Sequence, residues 1–237
     1  MTERCGKALN SSADGLAIGP SAVIWEGSRL RIEINEKAPL TMAPLRGTVT
    51  LEPEILPDFV ADFGTEGRHR WSPIAPRAHV EVRLDSPSLA WNGTGYMDMN
   101  RGDEPIEDGF SYWNWSRACL PGKAAILYDV TRHERGSSSM GLEIAADGSV
   151  TPVDVPEHCT LANTAIWKMP RETRCDKGRS SNVACTFEDT PFYSRSMIAT
   201  RLLGEPAHAM HESLSLDRFR KRWVQTLLRF RMPRVAL

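Results

Sequence analysis

With 237 residues, 41% of them hydrophobic and 25% charged, the chain is long enough to bury one large core or two small ones. A formal net charge of -1 excludes a surface built throughout to neutralise phosphates, so nucleic acid is not an expected partner. No run reaches the ~20 apolar residues that span a bilayer, and "MTERCGKALNSSADG" lacks the apolar centre of a signal peptide, which points to an intracellular protein.

From the N-terminus the chain reads as short strands between turns. "SAVIWEGSRLRIEI" predicts a hairpin: Ile24 leads into Glu26-Gly27-Ser28, after which Leu30, Ile32 and Ile34 alternate with Arg29, Arg31 and Glu33. Similar signals recur at "GTVTLEP", "RAHVEVRL", "KAAILYDVTRH", "MGLEIAADGSVTPV", "NTAIWKM", "NVACTFE" and "RSMIATRLL", mostly bounded by Gly, Pro, Asp or Ser. This spacing favours an antiparallel barrel or sandwich over a parallel α/β sheet. "LPDFVADFGTEGRHRWSPIAPRA", rich in Pro, Gly and charge, marks a seam near residues 64–76, and "RCDKGRSSN" reads as an exposed loop. The five cysteines, Cys5, Cys119, Cys159, Cys175 and Cys185, are scattered and never form C-x-x-C, which suits free thiols.

The period changes from residue 216. Leu216, Phe219, Trp223 and Leu227 recur at helical intervals, with Ser215 placed to cap a C-terminal helix. Seven basic residues (Arg218, Arg220, Lys221, Arg222, Arg229, Arg231, Arg234) against the single acid Asp217 leave two readings: a packed helix with a solvated basic face, or a peripheral contact with anionic lipid.

The most unusual stretch is "WNGTGYMDMNRGDEPIEDGFSYWNWSRA", Trp91 to Ala118, with three tryptophans and five carboxylates from Asp98 to Asp108. As a strand, residues 91–100 place Asn92, Thr94, Tyr96, Asp98 and Asn100 on one face, which pattern alone allows to meet either solvent or a ligand cavity. A calcium loop fails, since Asp103 occupies the required glycine position and Gly109 replaces the final glutamate. The histidines lack zinc spacing, and G-x-S-x-G, Walker and G-x-G-x-x-G signatures are missing. Taken singly, His69 reads as a structural or surface histidine and Trp71, Trp113 and Trp115 as core, because tryptophan is mostly buried. Asp103, Glu104, Glu107 and Asp108 read as loop or capping residues.

"GRHRWSPIAPRAHVEV", "GTGYMDMNRGDEPIEDGFSYWNWSRA" and "ESLSLDRFRKRWVQTLLRFRMP" resemble the bacterial carotenoid 1,2-hydratases, within a lipocalin-like group that includes pericyclases and other terpenoid-related proteins. The resemblance runs essentially end to end. It implies an all-β fold of lipocalin-like antiparallel barrels with an incomplete N-terminal β domain and a short C-terminal helix. Residues 1–70 would be the remnant of the first domain and 71–237 the second barrel with its helix, because "MTER" resembles an internal segment of family members. It also implies a cofactor-free lyase, without metal, that adds water across the terminal C1–C2 double bond of an acyclic carotenoid. The family's H-x-W and G-Y-x-D motifs fall on His69 and Trp71, and on Tyr96 and Asp98.

That chemistry suits those residues. Protonating an unactivated alkene carbon needs an acid kept protonated by burial, the role expected of Asp98. Indole faces attract the resulting cation, which suits Trp71 and, at the substrate, Trp113 or Trp115. His69 is expected to accept the proton of the incoming water or to hold Asp98, and Tyr96 to orient either. A terpenoid isomerase or cyclase that excludes water, and a non-catalytic carotenoid- or lipid-binding homologue, remain open. A cytoplasmic protein peripherally attached to the membrane through the basic helix is the expected setting.

Overall fold

The computed structural model describes residues 4–38, 41–63, 67–134 and 136–228. The chain divides into two units, each with its own core. One comprises the residues up to Leu56 together with Ala75–Met97, and the other Pro57–Ile74 together with Asp98–Leu227.

In the first unit β1 (Leu9–Ser11), β2 (Gly15–Ile18), β3 (Ser21–Glu26), β4 (Arg29–Lys37) and β5 (Pro44–Ile55) form an antiparallel meander. The β3–β4 hairpin forms where the sequence places it, with Gly27 taking the positive φ of 64° that its turn demands and Leu30 buried. Beyond the short β6 (Ala61–Asp62), β7 (His69–Ser86) pairs with β5, and β8 (Leu89–Gly102) pairs with β7. Alternate residues supply the core: Leu30, Leu51, Ala75, Ala78, Val80 and Val82, flanked by Trp25, Ile32 and Val49.

In the second unit β6 pairs with the start of β7, Ala61 opposite Trp71 and Asp62 opposite Arg70. After the single-turn α1 (Ile106–Gly109) come β9 (Phe110–Leu120), β10 (Lys123–Arg132), β11 (Gly136–Ala145) and β12 (Val150–Val153). The hairpin β13 (Glu157–Leu161) and β14 (Arg171–Cys175) stands apart, and β15 (Asn182–Asp189), β16 (Tyr193–Leu202) and β17 (Glu205–Ser215) complete a seven-stranded sheet in the order β12-β11-β10-β9-β17-β16-β15. One face packs Ala118, Leu120, Ala125, Leu127, Ile198, Leu202 and Ala209 around Leu161 of the hairpin.

Three expectations are corrected here. The lipocalin-like barrel is not built: among the described residues both large sheets are open, the second running from β12 to β15 without the two ends pairing. Closure requires the last strand to return to the first with matching stagger. Here β12 is only four residues long, the chain between the two ends folds into the separate β13–β14 hairpin, and β15 slips register at Val183/Cys185 and Thr186/Glu188.

The C-terminal helix is broken into α2 (Leu216–Phe219) and α3 (Arg222–Leu227). Ser215 does accept the Arg218 amide, but the Arg218 guanidinium donates to the Trp167 and Pro191 carbonyls, and the Lys221 amide closes back onto Arg218 as a tight turn. Arg229, Arg231 and Arg234 lie outside the described residues. Finally, Cys159 and Cys175 are bonded, while Cys5, Cys119 and Cys185 are free. Hairpin register puts Cys159 opposite Thr173 and Cys175 opposite Glu157, a diagonal neighbour relation with Cα atoms 6.5 Å apart, within disulfide range.

Candidate active site

The start of β7 and the end of β8 bring two motif residues together inside the second unit. Trp71 is completely buried, and its indole Nε1 donates to Asp98 Oδ2 at 2.7 Å. The indole is walled by Phe63, with ring centroids 6.4 Å apart, and by Tyr128, edge-on at 5.4 Å. Tyr128 also meets Phe63 at 4.5 Å and Trp113 edge-on at 6.0 Å. Its phenol is pushed far up by burial and then by the charges of Asp98 and Glu212, so it stays a neutral donor at any working pH.

His69 is nearly buried at the first position of β7. Its Nε2 lies 2.8 Å from Glu104 Oε1, whose other oxygen pairs with Arg68 at 3.3 Å, and its ring stands edge-on to Phe110 at 4.7 Å. The His69 hydrogen bond, followed by that from Arg68, holds the Glu104 carboxyl below the usual carboxylate range against its own desolvation. Two glycines make room for the imidazole: a Cβ at Gly109 would meet Nε2 at 2.6 Å, and one at Gly102 would meet Nδ1 at 3.2 Å.

These side chains border two cavities. One, of about 130 Å³, is lined by Phe63, Ile106, Phe110, Trp113, Tyr128 and Val130 together with His69, Arg70, Asn100, Arg101 and Glu104. The other, of about 160 Å³, shares Phe63, His69, Glu104 and Phe110 but is otherwise polar, lined by Arg68, Asp108, Arg132, His133 and Glu134. Trp71 and Asp98 line neither: Trp71 packs against the Phe63 and Tyr128 rings, and Asp98 is half-buried rather than enclosed as its expected role as a buried acid required.

Of the residues singled out in the sequence, His69, Trp71, Asp98, Trp113 and Trp115 share the second unit, whereas Tyr96 belongs to the first. Trp113 lines the aromatic cavity; Trp115 is buried directly opposite Tyr128 in the β9–β10 register and lines neither cavity. Sequence reasoning missed Tyr128 and Glu104. The first sits in "AAILYDV" as one polar tip in an apolar run, a faint signal; the second gave none, because a loop fold alone brings it back to His69.

Comparison with known proteins matches residues 1–237 to the family model for the carotenoid hydratase CrtC. The acyclic carotenoid 1,2-hydratase of Thiocapsa roseopersicina is 45% identical over 236 residues, covering 100% of this chain and 58% of the relative. That of Rubrivivax gelatinosus is 39% identical with the same coverage, and that of Rhodobacter capsulatus is 37% identical, covering 100% of this chain and 84% of the relative. The chain thus spans about three fifths of the length of the first two, 58% in each case. A crystal structure of a protein assigned as AttH from Nitrosomonas europaea superposes with a TM-score of 0.61 at 13% identity, covering 88% of this chain and 71% of that one. CghA with Sch210972 gives 0.51 at 10%, over 85% and 70%. These two likenesses concern the fold alone.

Proposed function

The chain belongs to the carotenoid hydratase family, and on that premise we propose that it adds water across the terminal C1–C2 double bond of an acyclic carotenoid, giving a tertiary alcohol. The observation that carries this reading is the Trp71–Asp98 hydrogen bond next to an aromatic cavity, in a chain whose residues 1–237 match the family. Asp98, bonded to Trp71 and outside the cavity lining in this structure, is the proposed proton donor. Carbon protonation at C2 leaves a tertiary cation at C1, and Trp113, Phe63 and Tyr128, which line the cavity, are the rings available to it, a ring face contributing roughly 0.5–2 kcal/mol, with Trp71 packed behind Phe63 and Tyr128. A cavity near 130 Å³ is comparable to the ~150 Å³ that holds a benzene, so it takes the branched end of a polyene rather than its length. His69 accepts the surplus proton of the water, and Tyr96, which belongs to the first unit, takes no role in this site. Trp115 supports Tyr128 from the neighbouring strand.

The test is incubation of the purified chain with an acyclic carotene, followed by chromatography. A tertiary alcohol supports the reading. A rearranged hydrocarbon would instead indicate a terpenoid isomerase or cyclase, and retention of unchanged carotene a binding protein.

The same reading places the protein at the cytoplasmic membrane surface, through the basic residues after Ser215. Exposed Arg220, Lys221 and Arg222 precede Trp223, which is 47% exposed and stacks on Trp167 at 5.7 Å; Ile166, 55% exposed, and Lys168 lie alongside in the chain. Cations beside exposed indole and aliphatic groups suit an anionic lipid interface. No helix among the described residues is long and apolar enough to cross a membrane.

A further inference from the structure

A hydratase must admit one water to a cation that bulk water would quench at random, so its water needs a separate, controlled entrance. The second unit holds two cavities of opposite character that share only Phe63, His69, Glu104 and Phe110. The aromatic one suits the alkene. The polar one, at about 160 Å³ and with Arg68, Asp108, Arg132, His133 and Glu134 on its walls, has the room and the partners that ordered water requires. Of the shared residues, two are phenylalanines; His69 and Glu104 are the polar ones. Glu104, held ionised, can only accept, so the imidazole carries its proton on Nε2 and presents Nδ1 as a base.

We propose that the polar cavity is the water side of this enzyme, and that Glu104 is the positioning residue which, by fixing His69 as the Nε2–H tautomer between the two cavities, delivers one activated water to the aromatic side. The proposal rests on the hydratase reading above. In the step itself, the Asp98 proton joins C2 as the π pair becomes the new C–H bond. A lone pair of the water oxygen then forms the C1–O bond. The water's surplus proton goes to His69 Nδ1, where Glu104 stabilises the imidazolium across the ring, and leaves through the polar cavity while Asp98 takes one proton back. The net change is one water added. Charged groups facing His69 besides Glu104 are Arg68, Asp108, Arg132, His133 and Glu134 on the polar side, and Arg70 and Arg101 on the other.

The experiment runs wild type, Glu104→Gln and Glu104→Asp with an acyclic carotene in D2O. It measures tertiary alcohol formed and deuterium incorporated into recovered alkene, which reports protonation followed by loss of a proton without water capture. Nitrogen NMR of His69 in the same three proteins reports its tautomer. Expected for Glu104→Gln is a fall in hydration of about 100-fold, with deuterium incorporation within a few-fold of wild type and His69 no longer held as the single Nε2–H tautomer. Glu104→Asp, which keeps the charge at a shorter reach, should recover part of the hydration and guards against misfolding of the amide variant. Hydration and incorporation falling together, or an unchanged His69 tautomer, would overturn the proposal while leaving the hydratase reading intact. A wild type that gives neither product nor incorporation removes the hydratase reading and this proposal with it.

Discussion

Trp71 and Asp98 are joined by a single hydrogen bond, from the indole Nε1 to Oδ2, that links the start of β7 to the second half of β8 across 27 positions of sequence. Because Trp71 has no exposed surface, the bond cannot be traded for one to solvent, and the carboxyl has one of its two oxygens fixed.

Asp98→Asn keeps an oxygen that can accept from the indole but cannot supply an acidic proton. Turnover should fall by about 100-fold or more while folding stability changes by less than about 1 kcal/mol. Product chromatography and urea denaturation check the pair of effects; near wild-type turnover would remove Asp98 as the acid. Trp71→Phe should be milder than Trp71→Ala, which leaves a cavity costing roughly 3–5 kcal/mol. Equal losses of turnover per folded molecule would mean that the ring only packs.

His211 is wholly buried on β17, donates from Nε2 to the Glu172 carbonyl at 2.8 Å, and is pushed down to about 4 by burial, with Arg171 adding to the shift and Asp129 opposing it. The unfolded chain therefore takes up a proton before the folded one does. Its contribution to stability is complete above the unfolded value near 6.5, is lost progressively as the pH falls, and levels off near 4, for a total of up to about 3 kcal/mol. Denaturation midpoints at pH 7, 5.5 and 4 should fall more steeply for wild type than for His211→Gln. Parallel pH dependences would remove this residue as a source of acid sensitivity.

The Cys159–Cys175 bond closes a separation of 16 residues, which the chain-entropy argument values at about 3 kcal/mol. Reductant, or replacement of both cysteines by serine, should lower the melting temperature by roughly 6–12 °C in a chain of this size. Differential scanning calorimetry with and without reductant decides it, and no shift in either comparison would show that the bond contributes nothing to the folded state.

Binding to anionic vesicles should depend on Lys221 and Arg222, each contributing about 1 kcal/mol at low ionic strength and less as salt rises. Replacing both with Gln should weaken co-sedimentation in low salt only. Trp223→Ala should weaken it at all salt concentrations, since an apolar contact is not screened. Association indifferent to lipid charge, salt and these substitutions would leave the segment as ordinary packing.

Strand alternation carried much of the fold. The Leu30, Ile32 and Ile34 period and the Gly27 turn give the β3–β4 hairpin directly, and the Ser215 cap forms as its spacing suggests. Closure was not legible, because residues alternate identically in open and closed sheets; the deciding facts are the brevity of β12 and the slips in β15. The broken C-terminal helix escaped for a similar reason, since Leu216, Phe219 and Trp223 keep helical spacing across the tight turn that divides α2 from α3. At the candidate site the motif residues were visible one by one, but the indole-to-carboxylate bond and the Glu104 partner of His69 come from tertiary proximity. The disulfide likewise depends on hairpin register rather than on cysteine spacing.

Asp189, almost wholly buried at the end of β15, accepts the backbone amides of Ile166 at 2.7 Å and Trp167 at 3.3 Å. An anchor that grips amide nitrogens is indifferent to the side chains they carry. The loop can therefore be rewritten at Ile166 to suit a different surface without disturbing its path, as long as Asp189 and the Arg218 guanidinium on the Trp167 carbonyl stay. Positions 166 and 189 are thus the interchangeable tip and the irreplaceable root of one graftable element, and a library built on this scaffold should vary the first and never the second.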